Sequence, residues 1–527
     1  MFVRVKKRQN KDGTIREYLQ IVENKRIDGK IRQKVLCTLG RLDELKDGQL
    51  DRLIESLAKF SESQAVLQEA RDLFAEWSKE YGPVLVFRRV WEKVGLAGIL
   101  KRLCSESRVE FNVVEAVFAM VLNRLSAPQS KLKVSEWARE DVYEPGFSDL
   151  QLHHYYRALD FLAQRKEILE EQLFFQGRDL FNQSVDLVFF DTTTSYFEGE
   201  GAKEFCQYGY SRDHRPDRVQ VVIGLLMRQD GIPIAHEVLP GNTSDIEAFL
   251  AIIKRCQHRF NIRRVVIVAD RGMVSEKTLK AVESAGYEYI VGVRMRRSKE
   301  VREIVLGCHG RYQKVSENLE VKNVEHNGKR YVICFNPQEA ERDALVRQQV
   351  LASLEHKLKS GGLKGLIGNS AYRRFLAVSN GAAQIDRELI KQEARFDGKY
   401  VLRTNTTLPA EQVAMAYKQL WMVERAFREM KCTLKLRPMY HWTESRIRGH
   451  IMVCFLAFYL EMALRQMLSK CAPDVDYARV ITDLNRVKAV KLSMNGKEFV
   501  VRTELRGEAH LAFKAVGTRP PQRVLQL

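Results

Sequence analysis

Between residues 185 and 294 the apolar pattern changes period in an order that strongly restricts the fold. An apolar strand from Val185 to Phe190 is expected to end at Asp191, followed by T-T-T-S-Y. A second strand, Val219 to Met227, turns at Asp230-Gly231 into a third, Ile232 to Leu239, which closes at Pro240-Gly241. Thr243 or Ser244 then caps a helix through about Arg259. Arg264 to Ala269 reads as a fully buried strand ending at Asp270, ahead of Arg271-Gly272. A helix near 275–285 and a strand over 288–294 complete the unit. The segment therefore predicts an α/β sheet in which three hairpin-linked strands precede helix, strand, helix and strand.

That order is the order of a ribonuclease-H-like sheet. In such a sheet the first and fourth strands are neighbours, so Asp191 and Asp270 would meet at one edge. A third carboxylate is offered by Tyr417–Lys431, Y-K-Q-L-W-M-V-E-R-A-F-R-E-M-K, which has no Gly or Pro and reads as one helix. Tyr417, Glu424 and Lys431 are seven residues apart, about two turns, so they fall on nearly one stripe with Leu420 and Arg428. The structural alternative is a surface helix with a Glu424–Arg428 pair. Asp191, Asp270 and Glu424 gathered together would repel unless hard cations neutralised them. Oxygen-only ligands favour Mg²⁺ or Mn²⁺, and two such ions can activate a water or a 3′-hydroxyl against a phosphodiester. The cations of the helix would then hold DNA phosphates.

The remainder of the chain fits a nucleic-acid partner. The 86 Lys and Arg exceed the 67 Asp and Glu of the 527 residues, a formal charge of +19 that points to a polyanion. Residues 1–34 alone hold eleven basic against four acidic residues. Asp12-Gly13 and Asp28-Gly29 separate three β-like runs there, and the first alternates Val3 and Val5 with Arg4, Lys6 and Arg8. Arg4, Lys6 and Arg8 are the candidate phosphate contacts, although Lys on an edge strand also serves to block aggregation. Segments near 45–80, 86–103, 110–125 and 150–182 have helical spacing, interrupted at Gly82-Pro83, Ser126-Ala127-Pro128 and Pro145-Gly146. His153 and His154 lack a second ligand pair, and the nine cysteines contain no C-x-x-C, so no zinc site is indicated. No signal-peptide core opens the chain, and the longest apolar run, Ile451 to Leu460, is about half a membrane span. The expected location is the cytoplasm, with no membrane contact.

The expected organisation is a basic β-hairpin sheet plus helix for DNA binding (1–82), a helical domain (83–182) and the first part of the core (183–295). A β-rich insertion (296–396), the catalytic helix (397–470) and a C-terminal tail (471–527) follow. Within the insertion Asn327-Gly328 marks a hairpin, 338–359 a charged helix, and G-G-L-K-G-L-I-G (361–368) a loop. Asn495-Gly496 marks a further hairpin in the tail.

At Tyr417, Glu424 and Lys431 the chain resembles the Y-R-E-K signature of bacterial insertion-sequence transposases of the D-D-E type, the insertion-sequence-4-like superfamily. D-T-T-T-S-Y-F (191–197), Y-S-R-D-H-R-P-D (210–217), G-N-T-S-D (241–245), A-D-R-G (269–272) and R-P-M-Y-H-W (437–442) are similar to blocks of the same group. The resemblance implies a ribonuclease-H-like core, with Asp191, Asp270 and Glu424 as the metal-binding catalytic triad. It implies Tyr417 and Lys431 as DNA or phosphate contacts, and a β-rich insertion before the glutamate. The implied function is binding of element ends, metal-dependent cleavage and joining of the 3′ ends to target DNA, with double-stranded DNA as partner and a homodimer in the synaptic complex. A catalytically inactive DNA-binding relative, or a ribonuclease-H-like nuclease without strand joining, are the alternatives. An aspartyl-phosphate phosphatase would want a second Asp where Thr193 stands. The signature Arg falls at Leu420, so Arg428 and Lys431 are expected to carry the charge contact; an Arg at 420 is expected to be tolerated if that position faces the strand, or to be buried without a partner if Leu420 packs into the core.

Overall fold

The computed structural model describes the chain except for residues 28–29, 46–48, 59–72, 108, 177–185, 261–264, 271–274, 361–368, 380–381, 495–496 and 527. The expected turns at Asp28-Gly29, Arg271-Gly272 and Asn495-Gly496, the loop 361–368 and part of the helix expected over 45–80 therefore lie outside the described residues. The chain forms two compact units.

The smaller unit comprises Met1–Ser78, Ala489–Arg502 and Gln522–Leu527. Strands β1 (Phe2–Gln9), β2 (Ile15–Ile27) and β3 (Lys30–Arg41) form an antiparallel sheet. Its first turn is built as the sequence suggests: Asp12 Oδ1 accepts from Thr14 N and Oγ1, and Gly13 takes the positive φ of 82° that an L side chain resists. Helix α1 (Gln49–Ala58) follows. The helix expected to reach residue 80 does not: Phe74–Glu80 is strand β4, in a second sheet ordered β18-β17-β16-β4 with β16 (Lys488–Met494), β17 (Lys497–Arg502) and β18 (Val524–Gln526). Pairing with residues more than four hundred positions away, including Lys491 on Glu76 at 2.9 Å, overrides local preference.

The larger unit comprises Lys79–Lys488 and Thr503–Pro521. It opens with helices α2 (Gly82–Lys93), α3 (Leu96–Ser105), α4 (Val113–Ser126), α5 (Lys131–Glu140) and α6 (Leu152–Gln176). Gly82-Pro83, expected to interrupt, instead opens α2, where a proline's missing N–H costs nothing. Asn112 and Ser130 cap α4 and α5 by accepting from Glu115 N and Lys133 N.

The sheet of this unit runs β10-β11-β12-β15-β9-β8-β5-β6-β7. Its strands are β5 (Asp186–Tyr196), β6 (Gln220–Arg228), β7 (Pro233–Pro240), β8 (Val265–Ala269), β9 (Glu288–Val293), β10 (Gln313–Ser316), β11 (Leu319–His326), β12 (Lys329–Phe335) and β15 (Lys399–Thr404). The β5-β6-β7 pairs are antiparallel, β5-β8-β9 is parallel, and β15 joins β9 antiparallel. Helices α7 (Asp245–Phe260) and α8 (Glu276–Ser284) make the two crossovers of the parallel part. Residues 296–396 contribute the short helix α9 (Lys299–Glu303) and then β10, β11 and β12, which extend the same sheet through β15. The long helix α10 (Pro337–Ser360), α11 (Ser370–Arg373), the hairpin β13 (Leu376–Ser379) with β14 (Ala382–Ile385), and α12 (Arg387–Ala394) follow, with a small core around Leu354, Phe375 and Leu376.

After β15 come α13 (Ala410–Lys418), α14 (Trp421–Arg428), a π-helical turn at Glu429–Thr433, α15 (Glu444–Cys471), α16 (Tyr477–Asn485) and α17 (Ala509–Ala515). By length and composition α15 could cross a membrane, more than its apolar run suggests, yet it is the buried axis of the core. It packs on α4, α6, α17 and β7. Gly449 lets it lie against α6, since a Cβ there would sit 2.2 Å from the Leu159 carbonyl oxygen.

A buried charge cluster ties α6, β7 and α7 together. Glu170 accepts from His236 N at 3.0 Å and pairs with Lys166 at 3.2 Å and Arg259 at 3.1 Å, while the His236 Nδ1 lies 2.8 Å away. Glu237 takes Lys166 at 3.0 Å and Arg255 at 2.7 Å.

Candidate active site

β5 does not end at Asp191. It runs on to Tyr196 because β6 pairs with it from Val188 to Tyr196, with Asp191 opposite Leu225. Its parallel neighbour β8 stops at Ala269, and the last pair is Phe189 with Val268. Asp191 and Asp270 each stand two residues beyond that pair, on the sheet edge where one strand continues and the other has ended. The Asp191 carboxylate accepts from Thr192 N at 2.8 Å and lies 3.5 Å from the Arg212 guanidinium, which also donates to the Thr192 carbonyl. Burial pushes Asp191 up to about 6 despite Arg212, and the negative charge of Glu424 adds to the push.

The segment read as one helix is broken. Leu420 N and Val423 N bond three residues back, to Tyr417 and Leu420, so the chain tightens between α13 and α14. Leu420 is 5% exposed and packs in the main core, so an Arg there would be buried without a partner. Of the two expectations for position 420, this burial fits the one in which Leu420 packs into the core. Nothing local marks the break, which contains neither Gly nor Pro. Val413, Ala416, Leu420 and Val423, on either side of it, are all buried in the main core.

The two pieces carry different parts of the site. From α13, the Tyr417 hydroxyl donates to Asp270 Oδ1 at 3.1 Å and its ring stacks on Tyr400. From α14, Glu424 and Arg428 are exposed. The π turn then moves Lys431 off the Glu424 stripe. Its ammonium sits 2.7 Å from Asp213, which also pairs with Arg437, and the Lys431 and Asp213 side chains are only 9% and 3% exposed. Burial lowers the Lys431 pKa, against the pull of Asp213.

A cavity of about 710 Å³ joins these pieces, lined by Asp270, Glu424, Tyr417 and Tyr400 on one side and by Arg294 and Arg297 on another. Asp191 is coupled to it through the field of Glu424. Among the described residues no three His, Cys, Asp or Glu side chains close on a single point as a complete metal shell. A withdrawn Asp191 that feels the charge of Glu424, beside Asp270 on the same sheet edge, nonetheless offers oxygen-only ligands that suit a hard divalent cation. Sequence reasoning missed Arg212, Asp213, Arg437 and the arginines of R-M-R-R (294–297). The block Y-S-R-D-H-R-P-D was the available signal for the first two.

In the smaller unit, Lys6 and Arg8 are exposed, and Arg4 is half-buried with bonds to Gln33 and Gln20. The register places Arg4, Lys6 and Arg8 opposite Gln20, Tyr18 and Arg16, one polar face.

Residues 3–70 match the family described as "IS1634 family transposase, N-terminal domain", and residues 184–460 match "Transposase DDE domain". No curated protein matches the chain. Among solved structures, the piggyBac transposase synaptic complex with hairpin DNA aligns over 82% of this chain and 79% of its own, at 9% identity. Its TM-score of 0.38 is too low for the likeness to carry weight. The family match from 184 to 460 covers more than half of the 527 residues and contains both aspartates, Glu424 and the cavity that Asp270 and Glu424 line. Its members generally use divalent metal ions, and the chain belongs to the DDE transposases, a DNA-cleaving transposase enzyme.

Proposed function

We propose that the larger unit is built on a ribonuclease-H-like core and that Asp191, Asp270 and Glu424 are its catalytic carboxylates, acting on the ends of an insertion sequence. What supports this reading is the convergence of Asp270, Glu424 and Tyr417 on one arginine-lined cavity, with Asp191 close enough to feel the charge of Glu424. The carboxylates would hold two Mg²⁺ or Mn²⁺ ions. Bound there, the ions would supply charge neutralisation and activation of a water or a 3′-hydroxyl for cleavage and then joining of the 3′ ends to target DNA. The chain's own groups prepare the site. Tyr417 fixes Asp270 through its hydroxyl, and Arg212 together with Thr192 N orients Asp191. Arg294, Arg297 and Arg428 offer exposed guanidinium groups to strand phosphates.

In the same reading 183–295 and 397–470 are the two halves of the core, 83–182 is a helical domain and 296–396 is an insertion into the core. Residues 1–82 bind the element ends through Arg4, Lys6 and Arg8, and 471–527 form the tail. The active assembly is a homodimer pairing two ends on double-stranded DNA in the nucleoid. A catalytically inactive relative, or a nuclease that cannot join, is not favoured. The test is incubation of the full chain with its own element's ends, with and without Mg²⁺, followed by mapping of nicks and joined products. Mg²⁺-dependent nicks at the element boundary are expected, and nicking that survives chelation overturns the carboxylate assignment.

A further inference from the structure

The first five residues of the block R-P-M-Y-H-W, which the reading of the sheet edge leaves without a role, form one wall of a second cavity of about 220 Å³. Its other walls come from Arg124 on α4, Lys131 on α5, Tyr156 on α6 and His450 on α15. Among the described residues that line it there is no carboxylate. The neighbouring acids are committed elsewhere, Asp213 to Lys431 and Arg437, and Asp160 to Arg446 and Ser445.

The charges are placed unusually. Lys131 is 3% exposed and its Nζ has no hydrogen-bond partner. Arg124, 4% exposed, spends its terminal nitrogens on the carbonyls of Gln129, Leu434 and Lys435, and its Nε has no partner. His450 is buried against the Leu436 carbonyl, with Nδ1 without a partner, and its ring lies 5.1 Å from that of His441. Arg124 is accounted for as a clamp on the 434–436 backbone. Lys131 is not, because a buried ammonium beside the Arg124 guanidinium and without an acceptor is destabilising unless something else supplies the negative charge. Burial and Arg124 together hold Lys131 well below its ordinary value, and His441 is pressed down to about 3 by burial, Lys131 and Arg124. These are the surroundings of an anion site. The volume is below the roughly 300–1,000 Å³ of pockets for drug-sized ligands, which suits one compact group.

We infer that this cavity binds a single phosphate group, with Lys131, His441 and Arg437 as its donors. The phosphate could come from a DNA strand or be free in solution. Arg437 favours the strand, since it lines this cavity and also meets Asp213, the partner of Lys431 near the sheet edge. That choice of source rests on the transposase reading, whereas binding of a phosphate group does not.

The experiment has two arms on the full chain. In calorimetric titration with inorganic phosphate at fixed ionic strength, the wild type should bind saturably. Lys131→Met should bind at least about tenfold more weakly, a change of roughly 1.4 kcal/mol. Lys133→Met, which alters an exposed lysine of α5 paired with Glu136, should bind as the wild type does. In the second arm, element-end duplexes carry one neutral methylphosphonate at each position in turn. A DNA source predicts one position whose neutralisation weakens the wild type about tenfold and leaves Lys131→Met unaffected. Binding of inorganic phosphate with no such position assigns the free anion as the occupant. If Lys131→Met fails to melt cooperatively, His441→Gln replaces it in both arms. The inference is overturned if neither arm separates a folded variant from the wild type. Mg²⁺-dependent nicking by the wild type continues to judge the transposase reading on its own.

Discussion

Glu170 on α6 and Asp191 on β5 are both carboxylates withdrawn from water in the larger unit, yet Glu170 is held at about 2 while Asp191 is pushed up to about 6. Burial alone would raise both. Around Glu170 it is more than offset by Lys166, His236 and Arg259, which converge on the two oxygens. Around Asp191 a single guanidinium at 3.5 Å is too little against burial and the charge of Glu424. The contrast separates a charge that holds three elements together from one left short of positive charge at a sheet edge. The first is compensated within the chain, and the second is not.

The largest effect that can break this comparison is on chemistry. Asp191→Asn, Asp270→Asn and Glu424→Gln should each abolish end cleavage in a nicking assay while leaving end binding largely intact. In metal-free buffer near pH 7.5, Asp191→Asn should also raise the melting temperature, because it removes a buried charge that the fold does not compensate. The sign follows from linkage. A carboxylate raised from 3.8 to about 6 binds more protons in the folded state, so its contribution makes the protein more stable as pH falls from about 6 toward 4. Over that window the gain is about 2–3 kcal/mol. A variant that melts lower than the wild type would mean that Asp191 is structural.

Glu170→Gln should do the reverse, costing about 3–5 kcal/mol because it strands buried cations, as chemical denaturation would measure. The stability from Glu170 is present above about 4.5 and is lost as pH falls toward 2, the opposite slope to that of Asp191. A loss under 1 kcal/mol would remove the cluster as the pin between α6, β7 and α7.

Leu420→Arg sharpens the comparison by adding an unpaired cation to the core, and a loss of a few kcal/mol in stability is expected. Full stability would place position 420 on an open face. Smaller again is the intermediate case of Lys431, a cation already paired. Lys431→Ala and Arg428→Ala should each lower strand joining by roughly ten- to a hundredfold, the loss of one charged contact worth about 1.5–3 kcal/mol. If only Arg428→Ala acts, Lys431 serves to hold Asp213 rather than DNA. The smallest effect belongs to exposed charge. Changing Arg4, Lys6 and Arg8 together to Ala should lower the salt slope of DNA binding by about three units at most, near 0.9 per contact.

Much of this molecule was legible in its residues taken in order. Strand-length apolar runs and hairpin turns predicted β5 to β9 with their crossovers, because period and turn chemistry act over a few neighbouring residues. Charge counts and strand-edge aspartates pointed to a phosphodiester substrate for the same reason. Three features were settled elsewhere in space. The α13–α14 break arises because Leu420 is drawn into a core made by distant strands. β4 is a strand because β16 is beside it. Lys431 leaves the Glu424 stripe because a π turn carries it to Asp213, 218 residues away in sequence. Composition and periodicity determined which elements form and what chemistry they could carry. Tertiary packing alone decided which charges are compensated, since burial and electrostatic pairing depend on neighbours that adjacency in the chain does not name.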